Sequence, residues 1–119
     1  VDDVLELLAA VGSPKVKMVF DTYHLGHDSN VLSRIPELVP HVALVQLADA
    51  RQPPRGEQNR CLLGQGSLPL QEVVSALTTA GYDGYYDVEL LGEEIQGMDY
   101  HALLVHAKTA FDRLLRASG

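Results

Sequence analysis

The sequence predicts an α/β fold in which three parallel strands alternate with helices, forming part of a larger barrel rather than a closed unit of its own. Three observations lead there. Short apolar runs alternate with segments of helical periodicity along the chain. The runs are nearly continuous in apolar character, as strands covered on both faces are. Each run also ends on or beside an oxygen-bearing side chain, and in a parallel barrel all strand C-termini open on the one face where sites are built.

The elements follow in order. Residues 2–11 read as a helix with Val4, Leu5, Leu7, Leu8 and Val11 on one face. Asp2 and Asp3 sit at its positive end and Gly12 stops it. Val16 to Asp21 is the first strand. A short helix over 30–39 is expected to break or restart at Pro36. His41 to Ala48 is the second strand. Residues 49–66, rich in Pro, Gly, Arg and Gln, form a long connection, unusual in a compact domain unless it binds something. Pro69 opens a helix to Ala80 that Gly81 closes. Tyr85 to Leu90 is the third strand, with Tyr82, Tyr85 and Tyr86 expected to pack around it. Met98 to Leu115 is the last helix, with Leu103, Leu104, Ala107, Phe111, Leu114 and Leu115 inward. Opening on a helix, with only three strands, residues 1–119 read as a single partial barrel domain.

Bulk properties narrow the function. The 119 residues are 46% hydrophobic and 21% charged, an ordinary globular balance. A net charge of -7 argues against nucleic acid, which needs clustered Lys and Arg. No apolar run approaches the roughly 20 residues that span a bilayer, and no leader pattern opens the chain. A single cysteine, Cys61, leaves no internal disulfide. The expectation is a cytoplasmic protein with no membrane or nucleic-acid partner.

The chemistry lies at the strand ends. The first strand ends on Asp21, the second near Gln46 and Asp49, the third on Glu89. Taken singly, Asp21 could cap a turn, Gln46 could satisfy a backbone group and Glu89 could be solvated. Taken together, Asp21, Gln46 and Glu89 place three oxygen donors on one barrel face, which suits a hard cation such as Mg²⁺ or Mn²⁺ ahead of Zn²⁺ or Co²⁺.

Several motifs strengthen this reading. Asp21–Thr22–Tyr23–His24, Val45–Gln46–Leu47–Ala48–Asp49–Ala50, Asn59–Arg60–Cys61–Leu62–Leu63–Gly64–Gln65–Gly66, and Gly81–Tyr82–Asp83–Gly84 with Val88–Glu89 occur in that order. The ordered set resembles the C-terminal portion of the xylose-isomerase-like (β/α)8 TIM-barrel superfamily, in its sugar isomerase, epimerase, hydroxypyruvate isomerase and 3-dehydroshikimate dehydratase branches. The resemblance implies that Asp21, Gln46 and Glu89 are metal ligands, that Glu89 is also the catalytic acid–base, and that His24 and Arg60 contact substrate. Gln46 stands where ketose epimerases carry His and the other two branches carry Gln. Asn59 and Cys61 stand where the endonuclease branch has Asp and His, which argues against a trinuclear zinc nuclease.

The implied reaction is metal-dependent isomerisation or epimerisation of a sugar or small hydroxy-carbonyl substrate through an enediolate. A 3-dehydroshikimate-type dehydratase and a non-catalytic half-barrel stay open beside it. A fourth ligand of the family, a glutamate, is expected upstream of Val1, so the site would need a missing N-terminal half or a second copy of the chain. His27 reads as a surface residue, His101 and His106 do not share a helix face well, and Cys61 lacks a convincing histidine partner.

Overall fold

The computed structural model describes residues 1–54 and 59–119. Residues 55–58, part of the predicted 49–66 connection, lie outside the described residues. The order is α1 (Asp2–Val11), β1 (Met18–Asp21), α2 (Thr22–Leu25), α3 (Ser29–Leu38), a 3₁₀ turn (Val39–His41), β2 (Val42–Leu47), α4 (Leu70–Thr79), β3 (Tyr85–Val88) and α5 (Tyr100–Ser118).

The strands form one parallel sheet in the order β1–β2–β3. Their register puts Val19, Leu44 and Tyr85 in one row and Asp21, Gln46 and Asp87 in a second. Side chains two apart along a strand share a face, so both rows lie on the same side of the sheet. The other side is the core. Phe20, Val45 and Leu47 are buried there with Ile35 and Leu38 of α3 and Val73, Val74 and Leu77 of α4. Tyr86 packs on Phe111 of α5 at 5.0 Å between ring centroids, and burial lifts its hydroxyl pKa to about 12.

The helix-free face is open: Val19 is 48% and Tyr85 84% exposed. The expectation that Tyr85 packs around the last strand is therefore corrected. It alternates away from Tyr86 and faces outward. In α5, Leu103 and Ala107 are buried, whereas Leu104 is 70% and Leu115 39% exposed, against expectation. Neighbouring positions on a helix are 100° apart, and the stripe that meets the core is centred on Leu103 and Ala107. In α1, Leu5 and Leu8 reach the core while Val4, Leu7 and Val11 do not.

Local chemistry explains the remaining differences. α3 runs through Pro36 rather than breaking there. Pro36 lies in the last turn, where its missing N–H removes one hydrogen bond and the chain then tightens into the 3₁₀ turn. α2 was not expected. It begins because Asp21 caps it, its Oδ1 accepting from the Tyr23 N–H at 2.8 Å. β1 starts at Met18, since Val16 is held in a turn by its N–H donating to the Ser13 carbonyl. β3 ends at Val88, yet the Glu89 N–H still donates to the Leu47 carbonyl at 3.0 Å, so Glu89 is held at the sheet's end.

Candidate active site

The strand ends are locked before the site begins. The Thr22 hydroxyl, fully buried, donates to the Ala48 carbonyl at 2.7 Å and accepts from the Ala48 N–H at 2.8 Å. This reciprocal pair carries the β1–β2 ladder one step past Asp21 and Gln46, fixing the spacing of their backbones.

Asp49 then organises the connection that follows. It is 1% exposed, and its carboxylate accepts four backbone N–H groups. Oδ1 takes Ala50 at 2.9 Å and Leu68 at 3.3 Å, and Oδ2 takes Gly64 at 2.9 Å and Gly66 at 3.1 Å. A Cβ on Gly66 would overlap that carboxylate. The Cys61 N–H donates to the Asp49 carbonyl at 2.9 Å, and Asn59 bridges Gly92, whose missing side chain makes room for the Arg60 backbone. Arg60 is thereby carried inward to 1% exposure.

Arg60 meets the strand-end carboxylates. Its Nη2 lies 2.7 Å from Glu89 Oε2 and 3.5 Å from Asp21 Oδ2. Its guanidinium sits over the Tyr23 ring, 4.0 Å from the centroid. The Tyr23 hydroxyl donates to Asn59 Oδ1. His24 Nε2 lies 3.7 Å from Asp21 Oδ2, and its ring meets Tyr23 edge-on. Asp21 thus divides its work, Oδ1 capping α2 and Oδ2 facing Arg60 and His24. Gln46, beside Asp21 in the sheet, donates through Nε2 to Asp87 Oδ2 at 3.4 Å.

A surface strap holds the neighbourhood. Arg51 pairs with Glu94 at 2.8 and 3.1 Å and donates to the Gln65 carbonyl. The Arg51 guanidinium holds the Glu94 carboxyl below its usual range. A carboxylate with a depressed folded-state pKa stabilises above its unfolded pKa and loses that contribution as pH falls through the folded value. Acidification below the glutamate range is therefore expected to release the strap. Carboxyl-carbon NMR of Glu94 should titrate below free glutamate, and in step with faster amide exchange at Gly64–Gly66. Exchange indifferent to Glu94 ionisation would show that the strap constrains nothing.

A family model of the xylose isomerase-like TIM barrel matches residues 1–114. The chain belongs to this family. It is 30% identical over 84 residues to a D-psicose 3-epimerase of Enterocloster bolteae, covering 70% of this chain and 25% of that protein. It is 35% identical over 81 residues to a Streptomyces coelicolor protein named as a hydroxypyruvate isomerase, covering 67% and 26%. A zinc-bound structure of the IolI protein superposes with a TM-score of 0.86 at 20% identity, covering all of this chain and 44% of that one. An L-ribulose 3-epimerase structure gives 0.77 at 21%, covering 96% and 41%. The chain therefore spans about a quarter of the curated relatives and under half of the solved barrels. Its open three-stranded sheet is part of such a barrel.

Within this xylose isomerase-like barrel segment, Asp21, His24, Arg60 and Glu89 come together, with Gln46 adjoining Asp21. His27 does not join them and lines a separate cavity with Val31 and Ile35. A cavity of about 910 Å³ also lies elsewhere, between α4, α5 and residues 63–68. The carboxylates occupy the open side of the sheet instead, where a barrel's interior would be. Cys61 is buried and its thiol is pushed up chiefly by burial, which suits packing rather than attack.

The residues present fit a cation in part. Asp21 Oδ2 and Glu89 Oε2 already face one positively charged nitrogen, so two anionic oxygens converge on a single centre. Among the described residues no three His, Cys, Asp or Glu side chains gather to hold an ion. The oxygen-bearing side chains at the strand ends that could serve such a centre are the Asp21 and Glu89 carboxylates and the Gln46 amide. Sequence reasoning missed Tyr23, Asn59 and Asp87. For Asp87 the signal was available, since it lies two residues before Glu89 on the same strand face.

Proposed function

We propose that the protein carrying this chain is a divalent-metal-dependent isomerase or epimerase of a sugar or small hydroxy-carbonyl compound, working in the cytoplasm. The observation that carries it is the convergence of Asp21 and Glu89, from two strand ends, on one positive centre beside Gln46. The curated relatives named as an epimerase and an isomerase support the reaction class.

Asp21, Gln46 and Glu89 would hold the ion, Mg²⁺ or Mn²⁺ by their oxygen chemistry, with Zn²⁺ or Co²⁺ less suited. When bound it would polarise the substrate's carbonyl and neighbouring hydroxyl, lowering the pKa of the α-carbon proton. Glu89 would then take that proton to give the enediolate; returning it to the neighbouring carbon isomerises the substrate, whereas epimerisation needs a second acid on the opposite face of the same carbon, a role for the glutamate expected upstream of Val1. Arg60 and His24 orient substrate oxygens. Arg60 also lies on a tyrosine face that excludes water from one side.

The test is solvent exchange. In D₂O the natural-length protein should wash deuterium into the α-position of ketohexoses or hydroxypyruvate, and a chelator should abolish it. No exchange with any hydroxy-carbonyl compound, metal-replete, would refute the proposal.

A dehydratase reading has one observation in its favour, the buried Arg60 guanidinium, which suits an anionic substrate. Arg60→Ala, assayed at saturating Mn²⁺ because the guanidinium faces the same two carboxylates, is expected to raise KM for such a substrate about 10–100-fold, the worth of a charged hydrogen bond. Unchanged KM would remove Arg60 from the substrate's path.

The 119-residue chain alone is expected to be inactive and to self-associate. Its inner face exposes Val19 and Tyr85, and both β1 and β3 are sheet edges. A missing half-barrel or a second copy would cover them. Sedimentation with an activity assay checks this, and an active monomer would contradict it.

A further inference from the structure

We infer that Asp87 is a positioning residue that sets the orientation of the Gln46 amide, so that the amide oxygen rather than its nitrogen faces the cation site. This rests on the metal-site reading proposed above.

The sheet register is the starting point. Asp21, Gln46 and Asp87 form one row across β1, β2 and β3, all on the helix-free face. Gln46 is flanked by a carboxylate on either side. An amide has two ends of opposite character, two N–H donors on nitrogen and two lone pairs on oxygen. Only the oxygen can ligate a cation. Without a neighbour that distinguishes the ends, the side chain can present either one. An ionised carboxylate accepts and cannot donate, so it takes the nitrogen end. In the structure Gln46 Nε2 donates to Asp87 Oδ2 at 3.4 Å. That contact turns the donor end toward β3 and leaves the acceptor end for the site that Asp21 shares.

On this reading Asp87 stands beside the ligand set rather than in it: among the described residues Asp21, Glu89 and Asp87 do not gather as a group of three. Its effect passes through Gln46. A histidine ligand would be held by the carboxylate through its second ring nitrogen. A glutamine ligand uses the same carboxylate to choose its end.

The experiment is a cycle of variants in the natural-length protein: Asp87→Ala, Asp87→Asn, Gln46→Glu, and Asp87→Ala combined with Gln46→Glu. Mn²⁺ affinity is measured by titration calorimetry, and the Gln46 side-chain NH₂ group by ¹⁵N NMR without metal. Asp87→Ala should weaken Mn²⁺ binding about 10–100-fold, the usual range for a partner of a metal ligand. Asp87→Asn keeps an acceptor and should recover part of the loss. In the Gln46→Glu background both ends of the side chain are oxygen, so removing Asp87 should cost nothing. The Gln46 NH₂ signal should move in Asp87→Ala.

Equal weakening by Asp87→Ala in both backgrounds, with no difference between Ala and Asn, would mean that only its charge matters, and would overturn the inference. So would an unmoved NH₂ signal. Wild-type protein that binds no Mn²⁺ would instead overturn the metal reading, and the inference with it. Asp87 is exposed, and the metal-free NMR signal reports on the contact whatever happens to binding.

Discussion

If Glu89 is the base of the proposed isomerase or epimerase, Glu89→Gln is expected to cut turnover of the natural-length protein by about 10²–10⁴-fold, the contribution of a positioned acid–base group. The fold should survive. The Glu89 backbone N–H is bonded to the Leu47 carbonyl whatever the side chain, and the carboxylate belongs to the end of the sheet rather than its core. The amide oxygen of Gln can still accept from Arg60 Nη2, so the buried guanidinium keeps a partner. What the amide cannot do is take a proton. At saturating Mn²⁺, which offsets the weaker ligand an amide makes, the loss should fall on kcat and on α-proton exchange in D₂O, with the melting temperature within a few degrees of wild type. Glu89→Asp, retaining a shortened base, should fall between. Exchange at the wild-type rate in Glu89→Gln would remove Glu89 from the chemistry.

Asp49→Ala is expected to be the most destabilising change near the site, on the order of 3 kcal/mol or more. The Asp49 side chain, 1% exposed, accepts from the N–H groups of Ala50, Gly64, Gly66 and Leu68, those of Ala50 and Leu68 in buried bonds and those of Gly64 and Gly66 in part-buried ones. Removing it strands the two buried donors, each costing roughly 1–3 kcal/mol if unsatisfied, and leaves the other two to water. The melting temperature should fall by about 10 °C. Asp49→Asn should also destabilise, because its NH₂ would face N–H groups. The same connection carries Arg60, so KM should rise in step with the loss. Thermal unfolding checks the stability, and a shift under about 2 °C would show that the four bonds are not holding the loop.

Much of this was legible because strand and helix periods leave strong traces. Asp21, Gln46 and Glu89 could be placed at strand ends since each apolar run stops there, and parallel strands put their ends on one face. The motif order pointed to Arg60, which spacing alone would not have singled out. Asp49 was less legible. Three of its four partners lie 15 to 19 residues ahead, and nothing in a linear reading says that Gly64–Gln65–Gly66 curls back onto a carboxylate. The glycines were visible as loop-formers, but the clash a Cβ on Gly66 would make with Asp49 exists only in three dimensions. The inward sets of α1 and α5 were overdrawn for a different reason. Both helices carry wide apolar stripes, but in this chain only part of each meets the core. Leu7, Leu104 and Tyr85 are apolar by sequence and exposed by geometry, at 62%, 70% and 84%. Such exposure fits a segment whose remaining neighbours belong to the rest of a barrel.

The central claim, that Asp21, Gln46 and Glu89 share one divalent cation, is tested most directly by anomalous diffraction from Mn²⁺-soaked crystals of the natural-length protein. The account predicts a single strong peak at the strand ends, roughly 2 Å from one carboxylate oxygen each of Asp21 and Glu89 and from the Gln46 amide oxygen. A peak elsewhere, or none at saturating Mn²⁺ with the Arg60 guanidinium still filling the space between the two carboxylates, would contradict it.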